Sequence, residues 1–344
     1  MGALNPILAG RVSAEAQAIH EAALIVDLHC DLLLTSGLLG WDWGRHHAEN
    51  PLPYAPLFGH CDLPRLRAGN VGALGLGIVT NPFAGPWREA HGDLIFRRLG
   101  EKLTRHVDEL RLATTAQGIR SARRDGRIAC FAGLEGAHAL AGRLDALPRW
   151  QDQGLTTVGL AHFTQNEAVR PMVGLGACAT SPLTDYGREL VRELDRRRIL
   201  VDVAHLNRAG VVEVCQGATT PRICSHTACT AVHPSPRGID DEQIRLIADT
   251  GGVIGVIFVT PFIGPGGAAQ VARHLDHIKR LVGVQHCALG SDWEGFAVYP
   301  DDLRSADRLP LLTQALLDLG WTDEDIHMAY GESFLRVLAE VRGG

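Results

Sequence analysis

Lysine is nearly absent from this 344-residue chain: of 33 basic residues only Lys102 and Lys279 are lysine. The chain therefore has no Walker-type lysine, and no Gly-x-Gly-x-x-Gly follows an apolar run, which argues against phosphoryl transfer and dinucleotide chemistry. A basic surplus is missing too: the net charge is −6, so neither nucleic acid nor an anionic membrane surface is an expected partner. No two of the eight cysteines (30, 61, 130, 178, 215, 224, 229 and 287) stand in Cys-x-x-Cys spacing. In a chain of this length they read as reduced, buried thiols of a cytoplasmic protein. The segment Met1–His20 lacks a basic start followed by a long apolar run, so it predicts no secretion signal. The longest uncharged stretch, 250–272, contains Pro261, Pro265 and several glycines and predicts a buried strand followed by a loop, not a membrane helix.

What is present is an ordinary globular composition, 46% hydrophobic and 21% charged, in a chain long enough for a sizeable core. Apolar runs alternate with amphipathic stretches, the pattern of βαβ units and a parallel sheet. Eight runs, at roughly 23–29, 72–79, 127–134, 156–162, 199–205, 221–226, 252–258 and 286–291, are rich in Val, Ile, Leu, Ala and Gly, as expected for strands covered on both faces. Helical patterns fall at 93–111, 114–124, 184–198, 240–249, 268–282, 304–319 and 323–341, the last interrupted by Gly331. No internal repeat, low-complexity tract or linker appears. The expected fold is an α/β (β/α)8 TIM barrel occupying residues 1–344 as one catalytic domain. Two long loops, 32–64 after strand one and 163–183 after strand four, are candidate lids; the first carries Trp41, Trp43, His46 and His47.

Metal-ligand residue types sit at or just past the ends of these runs. His29 and Asp31 follow the first, Glu135 the third, His162 the fourth, His205 the fifth, His226 the sixth and Asp292 the eighth. A barrel gathers the C-terminal ends of its strands around one site, so side chains scattered in sequence can converge there. Imidazole and carboxylate donors suit zinc and its divalent neighbours. A two-metal site needs a shared ligand; both lysines lie in helical stretches, which excludes a carboxylated-lysine bridge and leaves Glu135. Paired metals activate water and polarise a carbonyl, and Asp292 is placed to shuttle the proton, so the set favours hydrolysis of an amide or ester. Taken singly these residues say less. A histidine near a strand end is often a satisfied core residue, and Asp27 and Asp202 could orient ligands or merely cap strands. His138, His46 and His47 read as solvated loop histidines. Glu294 could support Asp292.

The residues resemble the zinc-dependent membrane (renal) dipeptidases and their bacterial relatives in the amidohydrolase superfamily, over about residues 22–340. The resemblance rests on Asp-Leu-His-Cys-Asp at 27–31, Gly-Leu-Glu-Gly at 133–136 and Leu-Ala-His at 160–162 with Asn166. It continues through Val-Asp-Val-Ala-His at 201–205, Cys-Ser-His at 224–226, Pro-Arg-Gly at 236–238 and Gly-Ser-Asp-Trp-Glu-Gly at 290–295. It implies two divalent metal ions, expected to be zinc, one on His29 and Asp31, the other on His205 and His226, with Glu135 bridging. It implies Asp292 as general acid/base reaching the first metal, His162 as a substrate contact, and Arg237 as the partner of the substrate carboxylate. The activity implied is hydrolysis of L-Xaa-L-Xaa or L-Xaa-D-Xaa dipeptides by a hydroxide shared between the metals, in an enzyme acting on small molecules, with a homodimer as a candidate assembly. Alternatives on the same site are hydrolysis of N-acyl amino acids, lactams or lactones, or metal binding without catalysis. The sequence departs from the family pattern at Cys30 and Gly238, where asparagine is common, and a tyrosine expected after strand seven is replaced by Phe258, Val259 and Thr260.

Overall fold

The computed structural model describes residues 8–47 and 57–343. Eight parallel strands close on themselves: β1 Ile25–Cys30, β2 Val71–Val79, β3 Ile128–Glu135, β4 Leu155–Gly159, β5 Leu200–Asp202, β6 Ile223–Cys229, β7 Val253–Val256 and β8 Cys287–Leu289. Each pairs with its neighbours in chain order, and β1 pairs with β8 to complete the ring. Helices fill the intervals between strands, giving the (β/α)8 TIM barrel. Two short strands flank it, Leu110–Leu112 beside β3 and Gly238–Ile239 beside β6. Among the described residues no helix is long and apolar enough to cross a membrane.

The continuous apolar runs become strands because both faces are covered. Side chains near the strand starts, among them Val26, Ala73, Ile223 and Val253, form an apolar plug that packs against the C-terminal helix, where Phe131 stacks on Phe334 at 5.4 Å. A larger cluster fills the space between barrel and helices. Helix 185–197 starts where expected because Thr184 accepts from the Gly187 amide, and helix 241–249 because Asp240 and Gln243 form a reciprocal capping box.

Two expectations needed correction, and a third gained its physical cause. The first long loop is not structureless: it contains helices Leu32–Leu39 and Leu63–Ala68, while residues 48–56 lie outside the described part. The proposed helix 304–319 is regular only over Pro310–Asp318. The interruption near Gly331 is a π-helical turn over 328–332; a Cβ on Gly331 would run into the Leu24 carbonyl oxygen, so glycine lets this turn approach β1.

Buried carboxylates stitch the strand ends together. Asp27 accepts from the amides of His29 (3.3 Å) and Ser291 (2.8 Å), joining β1 to the segment after β8. Asp202 does the same across the ring, accepting from the amides of Ala204 (3.0 Å) and Ser225 (2.9 Å). Both carboxylates therefore fix the backbone carrying the site histidines and do not touch an imidazole ring. Glu294 is fully buried and does not support Asp292 by a hydrogen bond; it accepts from the amides of Gly59, His60 (2.6 Å) and Cys61 (2.7 Å), tying the β1–β2 connection to the mouth of β8. Replacing Glu294 with Gln sets an amide donor against amide donors, and the expected loss of stability is about 1–3 kcal/mol. Denaturant unfolding of the metal-free protein measures it; an unchanged midpoint would contradict the assignment.

Candidate metal centre

The site stands at the C-terminal ends of the strands. His29 occupies β1 and Asp31 follows it directly; Glu135 is the last residue of β3; His162, His205 and Asp292 each lie three residues beyond β4, β5 and β8. His226 sits inside β6, deeper than the strand end the sequence suggested, because β6 continues to Cys229. His205 and Asp292 both take the left-handed backbone conformation, each with φ of 61°. That turn away from the strand aims the side chain back over the barrel mouth. Gly77 of β2 is required on steric grounds, since a Cβ there would collide with the Asp31 carboxylate.

All seven predicted metal and histidine residues converge. Glu135 Oε1 is the common point, with His205 Nε2 at 2.9 Å, His162 Nε2 and His226 Nε2 each at 3.5 Å, and His29 Nε2 at 3.6 Å. His29 Nε2 is also 3.4 Å from Asp31 Oδ1 and 3.9 Å from Asp292 Oδ1. The His205 and His226 Nε2 atoms face each other at 2.9 Å, and the rings of His29 and His226 stack at 4.1 Å. Donor atoms within 4.8 Å of one another form three overlapping groups: His29, His226 and Asp292; Glu135, His162 and His205; His29, Asp31 and Glu135.

The electrostatics of this cluster call for cations. Burial, then the charge of Asp31, pushes the Asp292 carboxyl well above the ordinary range, and burial with the charge of Glu135 raises Asp31. Burial, then Arg237, holds His205 well below an ordinary imidazole; burial, then His29, brings His226 down to about 3. Burial opposes ionisation of Glu135, but the charges of His162 and His29 and hydrogen bonds from His205 and His226 outweigh it. His29 Nε2, Asp31 Oδ1 and Glu135 Oε2 are buried without a hydrogen-bond partner. Leaving such atoms unmatched is costly, and neutral imidazole nitrogens with carboxylate oxygens fit divalent metal ions.

Arg237, just before the short strand beside β6, is 1% exposed. Its Nη1 contacts Met172 Sδ at 3.0 Å, Nη2 donates to the His226 carbonyl at 3.4 Å, and Nε has no partner. The guanidinium lies over the Phe262 ring at 5.9 Å, and no protein carboxylate pairs with it among the described residues. Phe262 in turn lines a cavity of about 550 Å³ bounded by Asp31, Glu135, His162, His205 and Asp292.

The remaining candidates have structural duties. His138 is buried, not solvated, and binds Thr164 through Nε2 at 2.8–3.0 Å. His47 stacks on Trp41 at 3.6 Å, His46 is exposed, and Trp43 is packed in the core under Lys102. Asn166 shapes its loop by donating to the Leu160 carbonyl and accepting from the Ala168 and Val169 amides. Cys30 is buried with its Sγ 3.8 Å from that of Cys61, off the donor set. Tyr299 was not anticipated: its hydroxyl donates to the Asp292 carbonyl from the segment after β8, and its ring packs at 4.4 Å from His60.

Comparison with known proteins identifies the family and the fold. The sequence profile of the membrane dipeptidase family, peptidase family M19, matches residues 13–343. A dipeptidase solved as a metallopeptidase of family M19 superposes with a TM-score of 0.84 at 25% identity, over 94% of this chain and 99% of that one. The probable dipeptidase PvdM from Pseudomonas aeruginosa gives 0.84 at 19% identity, over 95% and 98% of the two chains. A metallopeptidase from Rhodobacter sphaeroides, solved with a phosphinate mimic of the dipeptide L-Ala-D-Ala, gives 0.82 at 24% identity, over 93% and 99%. With the profile spanning nearly its whole length, the chain belongs to the membrane dipeptidase family, M19, and is a metallopeptidase of the dipeptidase type.

Proposed function

We propose that the protein hydrolyses dipeptides to free amino acids at a centre of two divalent metal ions, zinc being the expected metal. The observation that carries the reading is Arg237: a buried guanidinium beside the donor cluster, without a protein carboxylate, suited to the free carboxylate of a small substrate. His29 and Asp31 would hold one ion, His205 and His226 the other, with Glu135 shared between them. Such ions, when bound, polarise a carbonyl and bring the pKa of water towards neutrality. Asp292, at the mouth of β8 and 3.9 Å from His29 Nε2, takes up the proton and returns it to the departing amine. His162 reaches over the cavity from the segment after β4 and contacts the substrate near the reacting carbonyl. Tyr299 and the hydrogen bond from the Asp292 backbone N–H to the His29 carbonyl hold the Asp292 backbone.

The relative solved with an L-Ala-D-Ala mimic supports L-Xaa-D-Xaa dipeptides as substrates beside L-Xaa-L-Xaa. We place the enzyme in the cytoplasm, in keeping with eight free cysteines, seven of them buried. N-acyl amino acids share the free carboxylate and are the competing substrates. Amino-acid release from free, N-acetylated and C-amidated dipeptides separates these readings: cleavage of the free dipeptides alone is expected, and preferred cleavage of the acetylated set would overturn the dipeptidase reading.

Two variants test the assigned roles. Asp292→Asn is expected to lower kcat by about 10²–10⁴-fold with the metal content retained; full activity would remove Asp292 from proton transfer. Arg237→Ala is expected to raise KM for free-carboxylate substrates by roughly 10–100-fold, the equivalent of one charge-assisted pair, and to erase the preference over amidated dipeptides. An unchanged preference would remove Arg237 from carboxylate recognition.

A further inference from the structure

A second cavity, about 540 Å³, adjoins the one over the metal centre. Leu34, Val79, His162 and Phe163 line both, so the boundary between the two chambers is formed by side chains beside the donor cluster. The second chamber lies between helix Leu32–Leu39, the end of β2 with the turn after it, and helix Arg88–Arg105. Its lining is mainly apolar, with Leu33, Ile95 and Phe83 among the walls. Two polar groups in it lack partners. The Thr80 hydroxyl is 3% exposed and makes no hydrogen bond. Arg98 is half-buried without an ion-pair partner among the described residues; its guanidinium lies against Gly37, where an added Cβ would stand 2.6 Å from Nη1.

The ring order says which part of a substrate reaches this chamber. In a ring of eight strands β2 lies four places from β6, across the barrel mouth from Arg237. A dipeptide whose carboxylate meets Arg237 and whose peptide carbonyl lies over the donor cluster must direct its first residue towards β2. We infer that this chamber receives the side chain of the N-terminal residue, and that the enzyme prefers dipeptides beginning with a bulky, largely apolar residue. The inference rests on the dipeptidase reading and specifies the substrates of that site.

The test is a kcat/KM series on the zinc-loaded enzyme with Gly, Ala, Leu, Phe or Tyr before a fixed C-terminal alanine. The expected result is a rise from Gly to Phe and Tyr of about tenfold or more, the scale of discrimination an apolar pocket provides. Ile95→Trp, which fills the chamber, is expected to remove that rise while cleavage of Ala-Ala persists. Phe83→Ala, at a position 72% exposed and so dispensable for folding, is expected to flatten the Phe and Tyr advantage even if Ile95→Trp does not fold. A flat series in the wild type, or an unchanged profile in Phe83→Ala, overturns the assignment of the chamber while leaving the dipeptidase reading standing. Failure to cleave any dipeptide overturns both.

Discussion

One oxygen atom organises this molecule. Glu135 Oε1 stands within 3.6 Å of four imidazole nitrogens, in a site that also buries the Asp31 carboxylate and half-buries that of Asp292. Bringing so many charged or chargeable groups out of water is strongly unfavourable unless opposite charge is supplied, and neutral imidazoles do not supply it. Burial and the neighbouring carboxylates raise the proton affinity of Asp31 and Asp292, and only the imidazoles around it hold Glu135 ionised. Divalent ions are the natural complement, and the site's chemistry follows from that complement.

The barrel meets the geometric side of the same demand. Parallel strands alone bring the donor residues to one rim, but the angles come from local devices: left-handed turns at His205 and Asp292, and Gly77 making room for Asp31. Asp27 and Asp202 act as paired clamps on opposite sides of the ring, each accepting amides from two neighbouring strand ends. Glu294 extends this scheme outward by holding the 59–61 segment against the mouth of β8. Buried carboxylates that bind backbone amides are thus distinct in task from the buried carboxylates left free for metal.

Most strands were legible as apolar runs closed by a polar or glycine residue, and most of the donor residues lie at or just past that punctuation, His226 inside β6 being the exception. Their ends were less so. The run reaching His162 looks unbroken in sequence, yet β4 stops at Gly159 and β5 at Asp202, because the chain turns inward to aim a histidine. Helix Leu32–Leu39 was missed since Leu-Leu-Leu-Thr-Ser-Gly-Leu-Leu has no polar face to reveal a helical period. The donor residues announced themselves by type and place, whereas Arg237 is one arginine among many and only the resemblance singled it out. Tyr299 and the chamber beside Thr80 carry no local signal at all: both arise where segments far apart in sequence meet.

The most direct test of this account is the metal stoichiometry of the purified protein after zinc loading and dialysis, with Glu135→Gln beside the wild type. The account predicts two ions bound by the wild type and at least one lost from the variant, whose amide cannot serve as a shared anionic ligand. One ion or none in the wild type, or two retained by Glu135→Gln, would contradict the central place given to Glu135.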